Sequence, residues 1–388
     1  MSGHSKKEYL KKIRERYRKA SKEEKISLLD EVCEVCSFNR KYAIRILNNK
    51  KAKTDTPKKR GPKKRYNHPD ILKVIRFIWR KTNLPCSKRL VEILPLWLPF
   101  YPLEISEEIR RKVLGISAAT IDRLMREDRG RYLKIGLATT KPGSLLKKHI
   151  SVKTGQWDET KPGYLETDTV AHCGSSMAGQ FAFTVNSVDI ATTWTVQRAV
   201  WGKGERGVKA AISEMEQVLP FDILGFDCDN GSEFLNWHLV RFFSNRKKPV
   251  KFTRSRPYYK NDNAHIEGKN WTHIREYLGY QRFDNQQIVA LMNNLYSSEW
   301  YLYFNFFMPY FKLVSKIREG AKTIKKYDKP KTPYQRILES KDINDEIKRK
   351  LTKTFKQLNP FDLQKAMAIK IKQIINLANS PVCENVES

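Results

Sequence analysis

Between Lys161 and Tyr280 the chain alternates in a way that few folds accommodate. Three β-branched and aromatic runs come first, "KPGYLETDTVAH", "GQFAFTVNSVDI" and "TWTVQRAV", broken only by Gly, Ser and Asp-Ile-Ala-Thr turns. Helical "GVKAAISEMEQVL" follows, then strand "DILGFDCD", helix "EFLNWHLVRFFSN", strand "VKFTRS" and helix "NDNAHIEGKNWTHIREYLGY". The order βββαβαβα demands a mixed five-stranded sheet covered by helices.

Charge is the second constraint. Against 42 Asp and Glu the 388 residues carry 74 Lys and Arg, a formal net charge of +32. A field of that size attracts polyanions, and release of condensed counterions makes binding to phosphates strong and salt-dependent. Double-stranded DNA is therefore the expected partner, with a merely soluble basic surface or attraction to anionic membranes as the bland alternative. Hydrophobic residues at 40% and aromatics at 11% are ordinary for globular protein, which argues against wholesale disorder. The length leaves room for roughly two to four domains at about 100–200 residues each. The opening "MSGHSKKEYLKKIRERYRKA" has no apolar core of a secretory signal. The most apolar later segment, "NNLYSSEWYLYFNFFMPYFKLV", is interrupted by Glu299, Asn305, Pro309 and Lys312, so a buried aromatic helix fits it better than a membrane span. Six scattered cysteines suit reduced thiols, and the expected setting is cytoplasmic and associated with DNA or the nucleoid.

Local signals divide the rest of the chain. Residues 1–50 form an N-terminal helix-turn-helix region. Ser21 caps a helix that places Ile26, Leu29, Val32, Cys33 and Cys36 on one face, a turn follows at Ser37-Phe38-Asn39, and a basic helix then carries Arg40, Lys41 and Arg45. The Cys33/Cys36 pair lacks two further ligands nearby and reads as core packing rather than zinc. Residues 51–68 are a basic linker, with Lys58, Lys59, Arg60, Lys63, Lys64 and Arg65 around Gly61-Pro62, suited to non-specific phosphate contact. Residues 69–135 are a second helical region. Ser117 begins a helix with Thr120, Arg123 and Arg126, again of helix-turn-helix shape and suited to DNA contact through Arg123. A linker spans 136–156, the α/β core 157–312, and a basic helical region with a loose tail 313–388.

The acid in this basic chain is concentrated in the core. Asp168 lies in the first strand, Asp229 closes the fourth before the Asn230-Gly231 turn, and Glu267 sits early in a helix. Sheet order that sets the first strand beside the fourth would gather three carboxylates, a grouping tolerable chiefly around divalent cations. Hard oxygen ligands select Mg²⁺ or Mn²⁺. Two such ions about 4 Å apart serve in-line displacement at phosphorus. Asp229 is preferred to Asp227, which has the same strand parity but lies deeper, and to Glu233, whose position suits a helix N-terminus. Glu166 and Asp189 read as a solvated strand residue and a turn former, and His172 and Cys173 as packed or hydrogen-bonded. The loop "TRSRPYYKND", with Arg254, Arg256 and Lys260 among tyrosines, has the composition of a DNA grip.

Together "TDT", "DNGSEF" and "RPYYKNDNAHIEGKN" resemble the catalytic core of the DDE transposases and retroviral-type integrases, most nearly the bacterial insertion-sequence transposases of the integrase-core superfamily. The downstream "NFFMPYFKLVSKIREGAKTIKKYDKPKTPYQRIL" resembles their usual continuation. The resemblance implies a multi-domain protein with an RNase H-like α/β core, preceded by all-α helix-turn-helix domains and followed by a helical C-terminal region. It implies Asp168, Asp229 and Glu267 as catalytic and metal-binding residues, two Mg²⁺ or Mn²⁺ ions, and cleavage and transfer of DNA strands at element ends by a homodimer or larger homo-oligomer. Asn270 matches a polar position near DNA or metal. The family's frequent lysine four residues after the glutamate is Trp271 here, with Lys269 as the substitute contact. Two alternatives stay open: a catalytically silent DNA-binding regulator derived from a transposase, and an RNase H-like nuclease without strand transfer.

Overall fold

The computed structural model describes residues 3–48, 65–130, 151–152, 159–255 apart from 230 and 232, 264–319 and 322–380. The chain divides into two compact units, Met1–Arg65 and Tyr66–Ser388. In the first, α1 (Gly3–Lys19), α2 (Lys22–Cys36) and α3 (Arg40–Leu47) bury Leu10, Ile13, Leu29, Val32, Cys36, Ala43 and Leu47 against one another. A reciprocal cap starts α2: Ser21 Oγ accepts from the Glu24 N–H at 3.3 Å, and Glu24 Oε2 accepts from the Ser21 N–H at 2.8 Å. Left-handed Ser37 ends it, and Asn39 caps α3. The helix, turn and basic helix thus form where expected, with α1 added. Ile26, expected on the buried face, is 49% exposed, and Leu28 is buried instead.

The second unit opens with α4 (Pro69–Lys81), α5 (Ser87–Trp97), α6 (Glu107–Leu114), α7 (Ala118–Leu124) and α8 (Arg126–Gly130). Its sheet contains β1 (Ser151–Val152), β2 (Tyr164–Ala171), β3 (Ala182–Asp189), β4 (Thr195–Trp201), β5 (Gly225–Cys228) and β6 (Lys251–Arg254), in the order β1-β6-β5-β2-β3-β4. β2, β3 and β4 run antiparallel through short connections, whereas β2, β5, β6 and β1 pair in parallel. All five expected strands are present, and β1 is a sixth, formed in the stretch read as a linker.

Helices α9 (Glu205–Gln217) and α10 (Trp237–Ser244) make the crossovers that parallel neighbours require. Phe226 of β5 packs its ring on Phe243 of α10 at 4.8 Å. After β6 come α11 (Ala264–Lys269), a π-helical turn (Asn270–Arg275), α12 (Glu276–Leu278), α13 (Gln287–Leu295), a second π turn (Tyr296–Trp300) and α14 (Tyr301–Phe306). The chain continues through β7 (Leu313–Glu319), β8 (Lys322–Tyr327), α15 (Pro333–Glu339), α16 (Asp345–Lys356) and α17 (Pro360–Asn379).

Packing joins regions that are distant in sequence. The helices of 69–130 share a core with the carboxyl-terminal helices: the Trp97 ring meets Tyr303 at 5.9 Å and Phe361 at 4.8 Å, and Arg89 Nε donates to the Pro309 carbonyl at 2.9 Å. Flat aromatic faces on α5, α14 and α17 are apolar area that only mutual burial removes from water. The region from 313 is not wholly helical, because β7 and β8 form an antiparallel hairpin that sets Ile317 opposite Ile324.

Gly163 shows how the sheet is pinned. At φ +112° its N–H donates to Asp189 Oδ1 at 2.8 Å and its carbonyl accepts from Leu224 N at 2.8 Å, joining the ends of three segments. A Cβ there would stand 2.5 Å from the Asp222 carbonyl oxygen. Gly163→Ala is expected to destabilise the fold by about 3 kcal/mol, through strain and overlap together. A lower urea midpoint with an unchanged denaturant slope is the expected record.

Candidate active site

Register builds the site. The parallel pair β2 and β5 aligns Thr167 with Cys228, so the next residues, Asp168 within β2 and Asp229 just past the end of β5, stand side by side where that parallel pairing stops. Asp168 Oδ1 accepts from the Thr169 N–H at 2.7 Å, and Oδ2 accepts from Asn270 Nδ2 at 2.7 Å. Asp229 Oδ1 accepts from the Gly231 N–H at 2.8 Å. One step deeper on the same parity lie Glu166 and Asp227, also aligned. Glu166, expected to be solvated, is 1% exposed, and its Oε2 accepts from the N–H groups of His265 and Ile266 at 3.1 and 3.2 Å. It therefore fastens the start of α11 to the sheet, which explains why a carboxylate is tolerated there.

Burial, reinforced by the charge of Asp229, pushes the Asp168 carboxyl up to about 8, although bonds from Thr169 and Asn270 oppose the shift. Burial also pushes Asp229 up to about 6, opposed by the Gly231 N–H and aided by the charge of Glu233. Glu233 is the carboxylate that sequence placed only at a helix terminus. It is 5% exposed, accepts from Thr169 Oγ1 at 2.9 Å through Oε1, and has Lys203 Nζ 3.7 Å from Oε2. Its Oε2 takes no hydrogen bond among the described residues. A Cβ on Gly231 would stand 2.6 Å from this carboxyl, so the glycine leaves the space that Glu233 fills. Asp168, Asp229 and Glu233 thus lie near one another in a chain of net charge +32.

No family model matches the chain. It is 36% identical over 339 residues to the uncharacterized protein y4rM of Sinorhizobium fredii strain NGR234, an alignment that covers 85% of this chain and 94% of y4rM. The chain belongs to the y4rM family. Among solved structures, the catalytic core domain of BIV integrase aligns with 46% of this y4rM-family chain and 94% of its own length, at TM-score 0.28 and 15% identity. The simian T-cell lymphotropic virus intasome, in complex with PP2A regulatory subunit B56 gamma, aligns with 57% of this chain and 66% of that one, at TM-score 0.32 and 11% identity.

The y4rM-family chain brings together some of the expected site residues and separates others. Asp168, Asp229 and Asn270 meet. Glu267 lies on α11 one turn before Asn270, on the same side of the helix, with an exposed side chain. Among the described residues no group of three His, Cys, Asp or Glu closes into a metal site. Lys269, expected at the DNA surface, is instead buried, with Nζ 3.0 Å from the centre of the Tyr310 ring. Burial, followed by the charges of Arg89 and Arg336, pushes this amine well below its ordinary range. Arg254 is likewise buried at the end of β6 rather than displayed to a ligand. Arg256 and Lys260, and Lys58, Lys59, Arg60, Lys63 and Lys64 of the linker, lie outside the described residues; Arg65 is in a turn.

On α3, Arg40 pairs with Asp30, Lys41 is exposed, and the Arg45 guanidinium stands 5.1 Å from the centre of the Tyr42 ring. On α7, Arg123 is exposed and donates to Thr120 Oγ1 at 3.1 Å, while the Ser117 and Thr120 hydroxyls engage each other at 2.9 Å. His172 is packed, its ring stacked on Phe283 at 4.7 Å. The widened turn that begins at Asn270 left no mark in the sequence; π turns recur at functional sites because they re-aim a side chain within a helix.

Proposed function

We propose that this chain is a DNA strand-cleaving and strand-transferring enzyme of integrase type, acting as a transposase at the ends of an insertion element. What carries this is the adjacency of Asp168 and Asp229 where the parallel pairing of β2 with β5 stops, a place where desolvation and repulsion favour their neutral forms. A cation among them relieves that penalty. The donors are all hard oxygens, and Glu233 Oε2, buried without a hydrogen bond, offers one more. Asp168 and Asp229 would hold Mg²⁺ or Mn²⁺, with Glu267 as the third ligand. When bound, two such ions supply activation of an attacking oxygen and stabilisation of a leaving oxygen at phosphorus.

The chain's own residues do the rest. Asn270 holds one oxygen of Asp168, the Thr169 N–H holds the other, and the Gly231 N–H holds Asp229, so both carboxylates are oriented before substrate arrives. Basic surfaces on α3 and α7, including Lys41, Arg45 and Arg123, serve recognition of the element ends. Water and then a DNA 3′-hydroxyl would be the nucleophiles, and holding two ends together requires at least a dimer on DNA.

The test is nicking of supercoiled plasmid bearing candidate ends, with Mg²⁺ and with EDTA, followed by joining of a labelled 3′ end to target DNA. Metal-dependent nicking with joining is expected. Nicking without joining would leave a nuclease. DNA binding without nicking would leave the silent regulator.

A further inference from the structure

Three amide side chains stand in single file and end on Asp168. Gln197 Nε2 donates to Asn186 Oδ1 at 2.9 Å, Asn186 Nδ2 donates to Asn270 Oδ1 at 2.7 Å, and Asn270 Nδ2 donates to Asp168 Oδ2 at 2.7 Å. The row follows from register: Asp168 of β2 lies opposite Asn186 of β3, and Asn186 lies opposite Gln197 of β4. All three therefore project from the same face of the sheet, and Asn270 enters above them from the first π turn.

Direction is built into such a file. An amide donates at one end and accepts at the other. Because Asn186 Oδ1 is occupied by Gln197, its NH₂ group faces Asn270; Asn270 must then accept with its carbonyl and present NH₂ to the carboxylate. The reverse setting would place the Asn270 carbonyl against Asp168, two acceptors with no proton between them once that carboxyl is ionised, as it is when it holds a cation.

Packing alone does not account for the row. Asn186 is 0% and Gln197 1% exposed in strands that are almost wholly buried, where an apolar side chain would avoid the cost of removing amides from water. Gln197 Oε1 moreover has no hydrogen-bond partner among the described residues, a loss on the order of 1–3 kcal/mol. The amides' shared output is the fixed setting of one carboxylate.

We propose that Asn186 and Gln197 are positioning residues which, acting through Asn270, anchor Oδ2 of Asp168 and so fix the direction in which that carboxylate meets a ligand. This rests on the strand-transfer reading for its catalytic consequence but not for its geometry, and the two are tested apart.

Gln197→Met keeps length and removes the donor; Asn186→Leu breaks the file at its centre. In the full-length chain, each is expected to retain its circular dichroism and to weaken Mn²⁺ binding, measured by electron paramagnetic resonance without DNA, by about 10–100-fold. Nicking at saturating DNA should fall on the same scale while the KM for DNA stays unchanged. In a metal-free crystal structure of Gln197→Met, the Asn270 amide should leave or invert its contact with Asp168. Wild-type Mn²⁺ affinity in both variants, or an Asn270–Asp168 contact undisturbed in that crystal, would overturn the proposal. A wild-type chain that neither binds Mn²⁺ nor nicks DNA would overturn the strand-transfer reading, and the crystal structure would then decide the amide file alone.

Discussion

Asp229→Asn is expected to lower plasmid nicking by at least about 10²–10³-fold, the scale on which loss of one electrostatic stabiliser of a transition state is felt. DNA affinity should be unchanged, because binding draws on the basic surfaces rather than on an acid. The same substitution should make the metal-free protein more stable at pH 8. Asp229 and Asp168 stand side by side, half-buried, and each raises the cost of charging the other; a neutral isostere at 229 removes that repulsion while its carbonyl oxygen still accepts from the Gly231 N–H. Opposite signs for activity and stability mark a functional carboxylate. Loss of both together would mark Asp229 as a residue of the fold, and unchanged nicking would remove it from the chemistry.

The second large effect is a linkage between pH, metal and stability. Asp168 is held up at about 8 and Asp229 at about 6, against ordinary values near 4. Without metal the folded chain therefore keeps protons that the unfolded chain has released, and stability falls as pH rises from about 4 to 8. His172 acts in the other direction. Burial, then the charge of Arg275, pushes it down to about 3, so its contribution is complete above about pH 6.5, its ordinary value, and is lost as pH falls towards 3.

Between about pH 6.5 and 8 the carboxylate trend is thus free of the histidine. In EDTA these carboxylates contribute a loss of stability of at most about 1.4 kcal/mol per pH unit for each proton across that interval, while the buried Lys269 amine contributes the opposite trend. Mg²⁺ should remove the carboxylate contribution and Asp229→Asn should reduce it, each read as a difference from the wild-type melting profile in EDTA. Profiles that coincide for wild type and Asp229→Asn, and with and without Mg²⁺, would show that these acids are not held together under strain.

Much of the site's address is a local matter. Side chains in a strand alternate, so Glu166 and Asp168 share one face, as do Asp227 and Asp229, whatever the rest of the chain does. The strand-helix alternation that follows requires crossovers and hence parallel pairing somewhere in the sheet. Caps at Ser21, Asn39 and Ser117 are equally local, since each side chain accepts from an N–H only two or three residues on. These features are legible because their partners lie within a few residues of one another.

What only the tertiary structure decided is which distant segments become neighbours. That β5 inserts beside β2, so that Asp168 meets Asp229, follows from packing of Phe226 and the crossover helices and not from either strand's composition. Glu233 carries the same local signal whether it caps a helix or enters an acid cluster, and Lys269 carries the same charge whether it faces DNA or Tyr310. The file from Gln197 to Asp168 joins three strands and a helix that enter from separate parts of the chain. Sequence by itself determined the periodicities, the caps and the excess of positive charge. The fold determined the depth of each ionisable group and its companions, because desolvation and Coulomb energy depend on distances that no local pattern contains.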